Sequence, residues 1–314
     1  MTRAAKLNGE LLLILLTATL LHLAAGSTMW IAPWNLWQPD HAAIGALRLP
    51  RVLTCVTGGF ALGLSGAIFQ AVFRNPIAEP YLLGVSGGAA IGGSVAALTG
   101  VFTLLGGLAG PLAAMATGLL TLPLVLVLGG RGRASAERLL IGGVVIGSLL
   151  AALNTVILLL AGADSNQVLR WLLGTASNTT LIHVAFLAAL IGLGLMALRP
   201  RLDGLHLLMI SSESAQTLGV SPRRLIRESL WIGTALTAAV AGIMGLVGFI
   251  GLVSPHIARL LQGQSPAKSA VSAGLVGGIL LVLADLASQR LGELPVGAVT
   301  AVIGAPALLW LLRR

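Results

Sequence analysis

RNPIAEPYLLGVSGGAA, residues 74–90, stands between two long apolar runs and carries two prolines, one arginine, one glutamate and three glycines. In water such a string reads as a surface loop. In lipid it reads as a place where the chain reverses, and irregular backbone at membrane depth is tolerated only where protein buries it or it lines a cavity. The remainder of the chain decides between the two solvents.

The chain has 314 residues, 56% of them hydrophobic and only 9% charged, with a mean hydropathy of +0.97. An ordinary soluble domain is about 25% charged, so this sequence has too little charge to cover a surface in water. In the bilayer only helices and closed barrels satisfy the backbone. The apolar runs lack the alternation of barrel strands, which leaves an all-α polytopic membrane protein. The 41 glycines suit close helix–helix packing through small residues. The lone Cys55 cannot form an internal disulfide.

A span needs about 20 apolar residues. Candidates are residues 11–25, 53–73, 82–101, 104–128, 139–161, 181–198, 230–247, 269–287 and 296–312, with 252–262 as a tenth, shorter crossing begun near Pro255. The first run, with Arg3 and Lys6 ahead of a leucine core, resembles a signal peptide. It is read as a retained span because the chain after it is itself membrane-embedded.

Ten crossings from a cytoplasmic N-terminus put 14 of the 19 basic residues inside and 4 outside, with Arg259 in the short crossing. This is the positive-inside bias. The net charge of +9 is therefore read as membrane topology rather than nucleic-acid binding. The four outside are Arg48, Arg51, Arg170 and Arg290, and the outer segment 26–51 carries Trp30, Trp34 and Trp37 as an interfacial belt. Residues 74–90 then fall on the cytoplasmic side, either as a tight structural turn or with a direct role in the transport pathway.

The longest polar segment is 199–228. Within it, SSESAQTLGVSPRRL reads as two short capped helices. Ser211 or Ser212 caps the first, Glu213 suits its positive end, and Gly219 stops it. Ser221-Pro222 restarts a helix as N-cap and first residue. A helix of about two turns is marginal in water, so it needs a surface to pack on, and a cytoplasmic partner is the expected one.

Four stretches carry a resemblance. They are RLPRVLTCVTGGFALGLSGAIFQAVFRNPIAEPYLLGVSGGA from Arg48, ESAQTLGV from Glu213, GFIGLVSPHIARLL from Gly248, and ELPVGAVTAVIGAPALLWLL from Glu293. In this order and spacing the chain resembles the FecCD-type permease subunits of ABC importers for iron chelates (iron-siderophores), haem and vitamin B12. The resemblance implies one transmembrane domain over residues 1–314, with about ten helices in the type II ABC importer permease fold and a coupling segment at about 211–228. It further implies a homodimer in the inner membrane with both termini cytoplasmic. Two ATP-binding cassette subunits bind below, and a periplasmic or surface-anchored substrate-binding protein docks above.

Carried over by position, the resemblance puts ATPase coupling on Ala215, Leu218, Gly219 and Val220. It puts binding-protein docking on Arg48, Arg51 and Arg290. The cytoplasmic gate falls on Ala136 and Glu137, just before Arg138-Leu139-Leu140-Ile141-Gly142. There the family's small hydroxyl pair is replaced by a sequence with a glutamate.

Asp285 within the ninth span is read as a helix-packing hydrogen-bonder, with a proton-coupling role as the minority reading. Asn154 and Gln70 are read as interhelical glue. His256 and Arg259 belong to a PH-x-x-R pattern. The five histidines are scattered, so no metal site is expected. No P-loop spacing is present; ATP and magnesium are expected in the partner subunits, no cofactor in this chain, and no enzyme activity. The alternative is a secondary transporter driven by an ion gradient, with Asp285 as the proton site.

Overall fold

The computed structural model describes residues 3–26, 29–101, 104–128, 136–162, 165–263 and 266–312. Its helices in chain order are α1 (Arg3–Ala25), α2 (Ala42–Phe73), α3 (Val85–Leu98), α4 (Ala109–Leu128), α5 (Ala136–Ala161), α6 (Ser165–Leu172) and α7 (Leu181–Leu198). There follow α8 (Leu202–Ile210), α9 (Ser212–Thr217), α10 (Pro222–Met244), α11 (Ile250–Gln262), α12 (Pro266–Arg290) and α13 (Val296–Leu312). Among the described residues no strand occurs. Each of the ten apolar segments expected from the sequence is a helix, and α6 and α8 are additional.

Among the described residues, six stretches are long and apolar enough to cross a bilayer unaided: Ala4–Ala25, Ala42–Phe73, Ala109–Leu128, Glu137–Ala161, Leu181–Ile210 and Ser269–Arg290. The fifth joins α7 to α8 through a 3-10 turn at Arg199–Arg201. The 14 residues of α3 and 13 of α11 fall short of the ~20 a full crossing takes. Each is preceded by chain outside any α-helix, residues 74–84 and 245–249.

Helix α2 is the centre of the bundle, and small residues let its neighbours close on it. A Cβ at Gly59 would lie 2.3 Å from the Gly277 carbonyl of α12, and one at Gly63 2.1 Å from that of Ala273. On α11, the Gly251 carbonyl would lie 1.7 Å from a Cβ at Gly66. Backbones this close gain dispersion contacts that no larger side chain permits. Polar side chains add cross-links. Ser94 Oγ donates to Asn154 Oδ1 at 2.7 Å, and Gln70 Nε2 donates to the Leu252 carbonyl at 3.1 Å while Gln70 Oε1 accepts from Arg259. Asn154 and Gln70 thus join helices as expected.

Helix α2 starts at Ala42, well before the apolar run at 53, and carries Arg48, Pro50 and Arg51 inside it. Two arginines and a proline argue locally for chain outside the membrane. Partners distant in sequence satisfy them instead.

Residues 74–84 pack as a built turn. Arg74 closes α2 in the left-handed region, and Asn75 Oδ1 accepts the Ile77 amide at 3.0 Å. Pro80 opens a 3-10 turn, Pro80–Leu83. The Leu82 carbonyl rests on α5 so closely that a Cβ at Gly143 would lie 2.2 Å from it.

Candidate functional site

Three places carry polar chemistry. The first gathers the expected outer arginines around the end of α1. Arg48 is buried and donates through Nη1 to the carbonyls of Leu23 (2.9 Å) and Ala24 (3.2 Å), and through Nη2 to that of Met29 (2.9 Å). Arg290 Nη2 donates to the Ala25 carbonyl at 2.7 Å. The last carbonyls of a helix lack intrahelical partners and carry its negative dipole end, so two cations there hold α1 to α2 and α12.

Arg51 faces a different group. Its Nε and Nη2 donate to the two oxygens of Asp285 at 2.8 and 3.0 Å, a fork-to-fork pairing. Its Nη1 and Nη2 also donate to Glu293, at 3.2 and 3.0 Å. Asp285 is fully buried and is further bound by His22 Nε2 (2.7 Å) and Gln289 Nε2 (2.9 Å). The carboxylate therefore joins α1, α2 and α12, which is the packing role expected of it. Glu293 adopts φ +60°, in the left-handed region, with its side chain 43% exposed. The structure thus brings Arg48, Arg51 and Arg290 to one end of the bundle, with each guanidinium engaged within the chain.

The parts of this cluster missed from sequence are His22, Gln289 and Glu293. Their one available signal is position. His22 is the polar residue at the outer end of an otherwise apolar first span, and Glu293 heads the ELPVG stretch.

The second place is the break between α10 and α11. Gly245 takes φ +74° and ψ −157°, a conformation open to glycine alone. The break is knitted to its surroundings through backbone. The Thr175 amide donates to the Met244 carbonyl (2.8 Å), Leu246 to Leu172 (3.3 Å) and Val296 to Gly174 (2.9 Å). Phe249 precedes α11 in the left-handed region at φ +66°, and its amide donates to Glu79 Oε1 at 2.9 Å. The glutamate of the opening stretch thus reaches across 170 residues.

The third place is the expected coupling segment. Ser211 Oγ accepts the Glu213 amide at 3.1 Å at the start of the six-residue α9. At its end the Gly219 amide donates to the Gln216 carbonyl (3.0 Å) and the Val220 amide to that of Ala215 (2.9 Å), with Gly219 at φ +80°. This pair of bonds is a Schellman cap. Ser221 and Pro222 then open α10 in the expected N-cap and first positions. Ala215 is buried, while Leu218 is 65% exposed.

Just beyond, Glu228 accepts from Arg224 Nε (2.8 Å) and Arg201 Nε (2.9 Å), tying the start of α8 to α10. Arg224 and then Arg201 hold its carboxyl below the usual range. At the expected gate, Ala136 is the first residue of α5, and its side chain lies outside the described ones. Glu137 follows in the first turn and is exposed.

The chain matches the FecCD transport family over residues 12–314. It is 40% identical over 311 residues to the vitamin B12 import system permease protein BtuC of Salmonella typhi, covering 97% of this chain and 94% of that one. The corresponding permease of Salmonella newport is 39% identical with the same coverage. Among solved structures, a transporter assigned to the metal-chelate ABC type, in an inward-facing conformation, superposes with a TM-score of 0.87. It is 28% identical and the match covers 99% of both chains. PsaBC from Streptococcus pneumoniae, at 13% identity and a TM-score of 0.60 over 88% of this chain and 92% of that one, shares the fold. With the family match running over nearly the whole of this all-helical chain, the chain belongs to the FecCD transport family: a multi-pass membrane permease of the ABC importer kind, with the type II fold.

Proposed function

We propose that the chain imports a corrinoid of the vitamin B12 class by ATP-driven alternating access. The substrate reading rests on the 40% identity to a vitamin B12 permease along nearly the whole chain; iron-siderophore and haem are the other cargoes of the family type. The ATP-driven reading rests on one observation. A six-residue helix is stoppered at both ends, and Leu218, the residue after it, is 65% exposed, an apolar knob beside polar residues. A partner's groove is the natural place for it.

In this reading two copies form the pathway. Two ATP-binding cassette subunits take Ala215, Leu218, Gly219 and Val220 of each copy and bind ATP and magnesium themselves. Both termini lie in the cytoplasm, and Ala136 and Glu137 stand at the inner gate. A substrate-binding protein docks over Arg48, Arg51 and Arg290. Arg48 is buried and Arg51 is held by both Asp285 and Glu293, so Arg290, exposed and donating to the Ala25 carbonyl, is the most available of the three.

The alternative, transport driven by an ion gradient, needs a carboxylate free to exchange protons. Asp285 has both oxygens bound by Arg51 and further bonds from His22 and Gln289, which favours the ATP-driven reading. The test is uptake of labelled cobalamin into proteoliposomes holding the permease, its ATPase and its binding protein. Uptake should require enclosed ATP and be unmoved by collapsing ion gradients. Uptake without ATP under an imposed proton gradient would overturn the proposal.

A further inference from the structure

Docking, coupling and gating leave Glu79 unused. It lies in the re-entrant segment between α2 and α3, and its carboxylate receives the amide of Phe249 at 2.9 Å. The first amides of a helix have no intrahelical partner and present a positive dipole end, so Glu79 serves as an N-terminal cap for α11 supplied from the other half of the chain. The next residue strengthens the cradle: a Cβ at Gly251, in the first turn of α11, would lie 2.7 Å from Pro80 Cγ.

The capped residue is unusual. An aromatic side chain at φ +66°, ψ −27° is a backbone outlier, and such outliers persist only where their surroundings hold them. Phe249 is gripped on its amide by Glu79 and on its side chain by α13, where a Cβ at Gly304 would lie 2.4 Å from Phe249 Cβ. Upstream, Gly245 and Gly248 supply freedom of rotation. The joint is therefore two glycines and one strained aromatic, clamped by a single carboxylate.

We propose that Glu79 is the positioning residue of a hinge between α10 and α11. Its bond to the Phe249 amide fixes α11 in the orientation seen here, and making and breaking that bond accompanies the reorientation of α11 in the transport cycle. This rests on the alternating-access reading, and the test below has one arm that does not.

In that arm, spin labels replace the exposed Leu260 on α11 and Leu309 on α13, and labelled chain is diluted into unlabelled chain in detergent without nucleotide. Glu79→Ala should at least double the width of the α11–α13 distance distribution. Glu79→Gln, which keeps an acceptor oxygen, should leave it unchanged.

In the second arm, cobalamin moved per ATP hydrolysed is measured in the assembled importer. Glu79→Ala should lower it about tenfold with ATP hydrolysis within twofold of wild type, and Glu79→Gln should keep it near the wild-type value. An unchanged distribution in Glu79→Ala overturns the hinge clamp. So does Glu79→Gln broadening the distribution as much as Glu79→Ala. Should the alanine variant not fold, a Glu79→Gln distribution at least twice the wild-type width overturns it as well. Wild-type uptake that ignores ATP, with the distance arm intact, removes the transport reading and leaves the clamp.

Discussion

Truncating Asp285 should be among the most damaging single changes in this chain, and damage of a kind that a second change repairs. Asp285 has no exposed surface, and it takes Arg51 through two bonds at 2.8 and 3.0 Å, His22 at 2.7 Å and Gln289 at 2.9 Å. Asp285→Ala leaves Arg51, 11% exposed, with Glu293 as its remaining carboxylate, and leaves His22, 1% exposed, facing the amide of Gln289. Removing one partner of a buried ion pair costs about 3–5 kcal/mol. Glu293 still neutralises Arg51 at the rim, so the expected loss is at the low end, ~3 kcal/mol. Replacing both partners by apolar groups is close to neutral, so Asp285→Leu with Arg51→Met should return to within ~1 kcal/mol of wild type. Glu293, 43% exposed, then finds water. The assay is reversible unfolding of the purified permease in mixed micelles by SDS titration, followed by far-ultraviolet circular dichroism. A single-variant loss under ~1 kcal/mol, or a double variant as unstable as the single, would refute the argument that an unpaired buried cation is the source of the damage.

Gly63→Val places a branched side chain where a Cβ already lies 2.1 Å from the Ala273 carbonyl. It should cost at least 1–3 kcal/mol, roughly the range for overpacking, in the same titration; a wild-type midpoint would mean that the α2–α12 seam is looser than described. Leu218→Asp, on a 65% exposed side chain, should change that midpoint by less than ~0.5 kcal/mol. It should also abolish co-purification of the ATPase subunits, and normal uptake by this variant would count against a partner-inserted α9. Glu293→Gln loosens the outer grip on Arg51 and should speed association of the binding protein roughly two- to fivefold at low salt, the factor that ~0.4–1 kcal/mol corresponds to. A rate indifferent to the variant would take Arg51 out of docking. Because Arg224 and Arg201 lower the Glu228 carboxyl, its tie stabilises above the ordinary carboxylate value of about 4.3 and is lost as pH falls through the depressed one. The stability difference between wild type and Glu228→Gln should therefore be steady at neutral pH and vanish under strong acid.

The helix ends between Ser211 and Pro222 were legible because their determinants are local. Ser211, Gly219 and Ser221-Pro222 act within a turn of where they stand, and α9 begins and ends on them. The apolar runs were legible because lipid imposes length and hydropathy on a span. Legibility fails where a polar residue is satisfied from far along the chain. Arg51 resembles the end of a loop until Asp285, 234 residues away, receives it, and α2 then extends through it. Glu79 resembles a surface charge until the Phe249 amide, 170 residues away, meets it. The short α6 escaped for a related reason, since eight residues between two apolar runs carry no span-length signal. Of the outer cluster, sequence singled out the arginines and Asp285 but not His22, which only the packing of α1 against α12 brings to Asp285.

The glycine seam between α2 and α12 has a consequence for biogenesis. Helix α2 leaves the ribosome more than 190 residues before α12 begins at Pro266. Throughout that interval its small-residue groove at Gly59, Gly63 and Gly66 faces lipid or whatever helix drifts into it, and such grooves attract partners without great selectivity. The native occupants, α11 and α12, arrive among the last helices synthesised. A chain arrested before Pro266 should therefore insert its earlier spans yet present an open groove. Such a nascent product is a natural substrate for membrane quality-control proteases, and its lifetime in the membrane should lengthen sharply once α12 is translated.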